Sequence, residues 1–101
     1  MAHTLVVLYR QPADAAAFRS YYLDRHLPLA SRLPGVRDIR YTLDILGVVN
    51  DSPYIAKFEA DFDTPEAMMA ALQSDAGRQA RDDVDNFAAG GVEILHHPRP
   101  S

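Results

Sequence analysis

Four strand patterns and two helical patterns follow one another along these 101 residues in the order β-α-β-β-α-β, and this order constrains the fold more than any other feature. Residues 3–9 are rich in β-branched, aromatic and other apolar side chains, and they are apolar on both faces after Thr4, which predicts a central strand covered on both sides. Residues 36–46 and 54–62 alternate apolar and polar side chains with the period of two that is typical of half-buried strands. Residues 92–96 predict a short last strand.

Helical periodicity fills the gaps after the first and third strands. Asp14 is predicted to cap a helix whose buried face includes Phe18. Pro28 disfavours a helical residue before it and lacks an N–H donor, so we expect a kink at that point. A threonine cap and a proline at the first helical position begin a second helical stretch over residues 64–89, with another cap at Ser74.

This β-α-β-β-α-β order matches the ferredoxin-like split-βαβ unit, which is an α+β fold. We therefore predict one domain over residues 1–101, with a four-stranded antiparallel sheet and two helical segments on one face. The other face would carry Ile55, Lys57, Glu59 and Asp61 beside the apolar side of the first strand. A small chain does not leave such a face to water, so we predict a homodimer that pairs sheet to sheet.

Composition excludes several classes of protein. The chain contains no cysteine, which excludes a disulfide scaffold, a thiol nucleophile and thiolate ligation of zinc, and which fits a cytoplasmic location. The apolar run at residues 5–9 is too short for a signal peptide or a bilayer span, so we expect no membrane association. A net charge of −4 argues against a nucleic-acid partner.

Charge is divided unevenly along the chain. Residues 10–40 hold six arginines and three aspartates, whereas residues 41–93 hold three basic and eleven acidic side chains. Either two solvated surfaces differ in sign, or the arginine-rich segment faces acidic groups of a ligand or of another subunit.

Beyond the order of its elements, the chain has a distinctive set of residues between about residue 5 and residue 95: Leu8, Tyr9, Pro12, Asp14, Phe18, Tyr21, Tyr22, His26, Pro28, Leu29, Leu33, Pro34 and Gly35, and later Ser52, Pro53, Tyr54, Ala56, Phe58, Phe62, Thr64, Ala67, Asp83, Val84, Asn86, Phe87 and Ala88. In these residues the chain resembles the EthD family of the dimeric α+β barrel superfamily. The resemblance implies the fold and a dimer. The family is associated with ether degradation beside a cytochrome P450 system. Similar superfamily members include cofactor-free monooxygenases, lactone isomerases, polyketide cyclases and haem-handling enzymes.

His26 is the strongest candidate for chemistry, because histidine gains and loses a proton near neutral pH and this one lies beside the predicted kink. Tyr22 is predicted as its catalytic partner, since a tyrosine hydroxyl can donate to a developing oxyanion. Arg25 is predicted to hold an anionic group of the substrate. A structural histidine that packs under the kink is the alternative, and the family motif favours function because it has a histidine at this place.

Further substrate-binding candidates come from the strands and the last helix. They are the strand tyrosines and the aromatic and polar residues that are predicted to share helix faces with the site: Tyr9, Phe18, Tyr41, Tyr54, Asp83 and Asn86. For Asp83 and Asn86 the alternative is structural, with Asp83 paired to a nearby arginine and Asn86 fixing the end of a helix.

Metals and cofactors have little support in the sequence. His3, His96 and His97 suggest a metal site, but adjacent residues of a strand point to opposite faces, so we predict no metal. No glycine-rich phosphate loop occurs, and we expect no cofactor.

Three functions therefore remain open. The first is a small catabolic enzyme or enzyme accessory that acts on a small apolar organic molecule without a cofactor, as an oxidoreductase, isomerase or cyclase, with an oxygenase system as a possible partner. The second is a non-catalytic, homodimeric ligand-binding module, and the third is a haem-binding protein with His26 as ligand.

Overall fold

A computed structural model describes residues 2–100 of the chain. Four strands form one antiparallel sheet: β1 (His3–Arg10), β2 (Ile39–Thr42), β3 (Tyr54–Phe62) and β4 (Val92–Pro98). Their order across the sheet is β2-β3-β1-β4, so β1 is central as predicted. The helices are α1 (Ala15–Tyr21), α2 (Leu27–Ala30), α3 (Pro65–Gln73) and α4 (Asp75–Asp83), with a π-helical turn at Tyr22–His26 and a 3₁₀ turn at Val84–Asn86. The predicted α+β ferredoxin-like fold is confirmed.

Side-chain caps fix where three of the helices begin, as the sequence predicts. The side chain of Asp14 accepts a hydrogen bond from the backbone N–H of Ala17 at 3.0 Å. The Thr64 hydroxyl caps α3 in the same way, and the Ser74 hydroxyl caps α4 by accepting from Gly77 at 3.1 Å. Each cap satisfies a backbone donor that has no partner inside the helix.

The kink predicted near Pro28 takes the form of the π-helical turn just before it. The backbone N–H of Leu27 bonds to the carbonyl of Tyr22, five residues back, instead of four. A proline ring collides with the carbonyl four residues before it in a regular α-helix, and the wider turn provides the room. Tyr22 and His26 are both buried on this turn.

Two strands differ in length from their predictions. β2 covers only Ile39–Thr42 instead of residues 36–46, because the Thr42 hydroxyl folds back to accept from the Asp44 N–H at 3.3 Å and to donate to the Asp44 carbonyl at 3.1 Å. β4 continues to Pro98, beyond the predicted end at residue 96.

An irregularity in β3 changes which residues face the helices. Tyr9 is paired with Ala56, but its neighbour Arg10 is paired with Tyr54, so Ile55 is an extra residue at a β-bulge. The alternation predicted for residues 54–62 is therefore wrong at its start, and Tyr54 shares a face with Arg10. Ile55 was expected on the uncovered face of the sheet, yet it is only 2% exposed and belongs to the core of the single chain.

The core lies between the sheet and the helices. Its largest members come from β1, from the first helical segment, from β3 and from α3: Leu5, Tyr9, Phe18, Tyr22, Phe58, Phe62 and Met68. Within residues 2–100 no helix is long and apolar enough to cross a membrane.

Candidate functional site

A cavity of about 320 Å³ lies between the sheet and the helices. This volume is at the small end of the ~300–1,000 Å³ range of ligand pockets. Most of its walls are apolar and come from β1, the α2 region, β3, α3, α4, the 3₁₀ turn and β4: Leu5, Val7, Ala30, Leu33, Phe58, Met69, Leu72, Gly77, Ala80, Val84 and Ile94. Tyr9, His26, Gln73 and Arg81 are the lining residues with polar side chains.

His26 is fixed in the cavity wall by a carboxylate from the end of α4. Its Nδ1 lies 3.0 Å from Oδ2 of Asp83, and the His26 residue is 4% exposed. Because an ionised carboxylate only accepts, Nδ1 carries the hydrogen of this bond. The other ring nitrogen, Nε2, then keeps its lone pair and is free to accept a proton.

Asp83 is itself held in place by two further donors. The Tyr21 hydroxyl donates to Asp83 Oδ1 at 2.6 Å, and the Asn86 amide donates to the same oxygen at 3.1 Å. Burial alone would raise the pKa of Asp83, but the hydrogen bonds from Tyr21, Asn86 and His26 outweigh burial and lower it. Asp83 is therefore ionised at neutral pH.

The same surroundings keep His26 neutral. Burial lowers the pKa of His26 below its usual value, and the opposing effect of the Asp83 carboxylate only partly offsets burial. Phe87 packs against the imidazole with ring centroids 4.6 Å apart, and Tyr22 lies on another side at 5.7 Å. A neutral imidazole with a fixed tautomer can act as a general base.

Tyr9 supplies a second polar group to the cavity. Among the described residues, only the Tyr22 hydroxyl is a fully buried polar side-chain atom without a hydrogen-bond partner. The Tyr9 hydroxyl and His26 Nε2 also find no partner within residues 2–100, but neither is fully buried, and both residues line the cavity. Burial strongly raises the pKa of Tyr9, so its hydroxyl remains a donor at neutral pH.

The structure does not bring the Tyr22 hydroxyl to the cavity. Tyr22 is 0% exposed and lies outside the lining, with its ring near-parallel to that of Phe18 at 6.2 Å. Phe18 is also in the core, where it contacts the edge of Tyr9 at 5.5 Å. The predicted catalytic role of Tyr22 and the predicted binding role of Phe18 remain predictions.

The other sequence candidates lie around the site or away from it. Tyr41 is 46% exposed and contacts Tyr22, and Arg25 is exposed on the π-helical turn. Tyr54 lies outside the lining, where its hydroxyl donates to Glu93 at 2.7 Å. Asp83 and Asn86 support His26 and do not line the cavity.

Sequence reasoning missed two features of this site. Asp83 was expected to bind a ligand, a partner subunit or an arginine, and the structure pairs it with His26. Arg81 was not singled out at all, although Gly77 precedes it by four residues and Val84 follows it by three, and that helical spacing was the available signal.

The remaining histidines lie apart from the cavity. His3 Nε2 and His96 Nδ1 are 2.7 Å apart, and His97 Nδ1 donates to the carbonyl of Pro98. No group of three or more metal-ligating side chains is present between residues 2 and 100.

Comparison with distant structures shows the fold. A dimeric ferredoxin-like protein from Thermobifida fusca is 16% identical with a TM-score of 0.75, and the match covers 98% of this chain and 92% of that one. A cofactor-independent oxygenase, SnoaB from Streptomyces nogalater, is 15% identical with a TM-score of 0.70, covering 99% of this chain and 94% of that one.

Closer similarity identifies the family. An EthD family protein from Bacillus halodurans is 30% identical with a TM-score of 0.91, covering 99% of this chain and all of that one. An 11.0 kDa protein from the thcB-thcC intergenic region of Rhodococcus erythropolis is 33% identical in an alignment of 95 residues that covers 92% of this chain and 90% of that protein. The EthD domain model matches residues 10–91. The chain therefore belongs to the EthD family.

Proposed function

We propose that this protein binds a small apolar organic molecule in the cavity and that His26 acts on it as an acid/base group without a cofactor. One observation carries the proposal. His26 lines a mostly apolar cavity of about 320 Å³ while its Nδ1 is fixed 3.0 Å from the carboxylate of Asp83. A histidine with this orientation presents Nε2 to whatever occupies the cavity.

The chemistry that fits is proton transfer. His26 Nε2 takes a proton from a weakly acidic position of the bound molecule, and Asp83 stabilises the imidazolium that forms. The Tyr9 hydroxyl donates a hydrogen bond to the oxygen on which negative charge develops. His26 then returns the proton to the same molecule at another atom. No external oxidant or reductant takes part, which corresponds to an isomerase or cyclase type of reaction.

The protein would work as a homodimer. The sheet face away from the helices carries Val6 and Leu8, which are partly exposed, and Leu95, which is 51% exposed. Ion pairs within the chain already match charges on this face, such as Lys57 with Glu59 at 3.2 Å. A second copy would cover the apolar residues, and the dimeric description of the Thermobifida fusca protein supports this assembly.

Hydrogen–deuterium exchange on a bound ketone tests the catalytic proposal. Octanone is first shown to bind by calorimetry, and exchange at the carbon next to its carbonyl is then followed by NMR in D₂O. We expect the wild type to accelerate exchange over buffer, and His26→Gln to lower that acceleration by roughly 10²-fold, as for loss of a general base. His97→Gln is the control, because His97 lies outside the cavity lining.

Thermal unfolding of both variants shows whether they remain folded. Exchange that is equally fast in folded His26→Gln and in the wild type would identify His26 as a structural residue. If octanone binds the wild type and its exchange is no faster than in buffer, a ligand-binding module would be favoured over an enzyme.

A further inference from the structure

We propose that the molecule this cavity takes is an acidic amphiphile, with its anionic group held by Arg81 at the mouth and its apolar body inside. This inference rests on the proposed function, because it names the chemical class of the ligand for the same cavity. Arg81 lies on α4 and lines the cavity together with Gly77 and Ala80 of the same helix and with Val84, which directly follows it.

The mouth of the cavity lies where its lining is exposed. Met69 is 45% exposed and Ile94 is 51% exposed, and Arg81 is exposed as well. Leu5 and Phe58, in contrast, are almost fully buried at 3% each. A ligand therefore meets a cation at the opening and hydrocarbon in the interior.

Arg81 differs from most arginines in this chain in its ion pairing. Six of the nine form ion pairs with carboxylates of the same chain: Arg10, Arg19, Arg37, Arg40, Arg78 and Arg99. Within residues 2–100 the side chains of Arg25, Arg32 and Arg81 have no such partner, and of these three only Arg81 lines the cavity. These ion pairs also show what the arginine-rich segment contacts: its arginines pair with carboxylates of the same chain, such as Asp44, Asp61 and Asp63.

Charge inside the cavity wall sets the orientation of an anionic ligand. Asp83 is ionised and hydrogen-bonded to His26, so it repels a carboxylate placed beside His26. The guanidinium of Arg81 offers a planar fork that matches a carboxylate, and the Gln73 amide in the same lining adds another donor. The apolar end of the ligand then lies against Leu5, Val7 and Phe58.

Calorimetry with octanoate and octanamide tests this assignment, because the two probes share their chain and differ in charge. We expect the wild type to bind octanoate roughly tenfold more tightly than octanamide, as for a charge-assisted pair at a partly exposed site. Arg81→Gln should remove the preference because it weakens octanoate binding far more than octanamide binding, and Arg81→Lys should keep most of the preference. Arg32→Gln removes an equally unpaired charge outside the lining and should keep the whole preference.

Two results would overturn the assignment. The first is equal affinity of the wild type for the two probes, and the second is a preference for octanoate that survives in Arg81→Gln. In both cases octanamide still binds, so the proposed function stands while the ligand class is wrong. If neither probe binds the wild type, the apolar cavity is not the binding site, and the proposed function fails together with this inference.

Discussion

At the scale of single residues, the site depends on a pair that is distant in sequence. His26 and Asp83 are 57 residues apart, and each was singled out from the sequence for a separate reason. Their contact follows from how the end of α4 packs beside the π-helical turn, which no local pattern specifies. Sequence reasoning could therefore name His26 but not the group that sets its tautomer.

The two buried tyrosines show the same limit. Helical spacing placed Tyr22 beside His26, and the structure confirms that their rings are neighbours at 5.7 Å. The spacing of residues along a helix does not show how deeply each side chain is buried, however. The Tyr22 hydroxyl is enclosed in the core, whereas that of Tyr9 is not fully buried. Which tyrosine reaches the cavity depends on the packing of Phe18 and Phe87 around them.

At the scale of elements, local signals predicted most of the fold. Caps, prolines and alternation located all four strands and the helices, because each signal acts within a few residues. The early end of β2 was missed because the alternation of residues 36–46 continues through the turn that Thr42 makes with Asp44. The bulge at Ile55 was missed because it depends on the pairing of β3 with β1. Because of this bulge, Tyr54 lies on the same face as Arg10 and not on the face that packs against the helices.

The close contact between α3 and α4 predicts the sign of the stability change on substituting Gly77. A Cβ on Gly77 would lie 2.4 Å from the carbonyl oxygens of Ala71 and Leu72, which is too close for any side chain. Gly77→Ala should therefore lower the free energy of unfolding by roughly 1–3 kcal/mol, as overpacking does. Helix propensity alone predicts the opposite, a gain of up to ~1 kcal/mol.

Chemical denaturation of Gly77→Ala measures this change directly. Ser20→Ala, on the exposed side of α1, is the control and should change stability little. A Gly77→Ala variant that is more stable than the wild type would show that α3 and α4 do not approach as closely as described.

At the scale of the whole molecule, the uncovered sheet face combines a buried ion network with apolar residues. Asp61 is 3% exposed, and its carboxylate accepts from Arg40 at 2.9 and 3.2 Å, from Thr4 at 2.8 Å and from Arg99. The Arg40 guanidinium is the main cause that lowers the pKa of Asp61 to about 2. Because charges here are matched within one chain, the exposed apolar residues are what a second copy would cover.

Leu95→Glu tests the predicted homodimer. Light scattering should show the wild type as a dimer. The dissociation constant of the variant dimer should be at least roughly tenfold higher, because association would bury an unpaired charge. Leu23→Glu is the matched control, since Leu23 is 42% exposed on the helical side of the molecule. A wild type that is monomeric at micromolar concentration, or equal dissociation of both variants, would contradict assembly through this face.

The proposed role of His26 depends on its protonation state, which NMR of the imidazole nitrogens measures. We predict that at neutral pH Nδ1 carries a hydrogen and Nε2 does not, that the pKa lies below the usual value of about 6.5, and that added octanamide shifts the Nε2 resonance. The signal of His26 is assigned by its loss in His26→Gln. A hydrogen on Nε2 at neutral pH, or an Nε2 resonance that does not respond to a ligand shown to bind, would contradict a catalytic base facing the cavity.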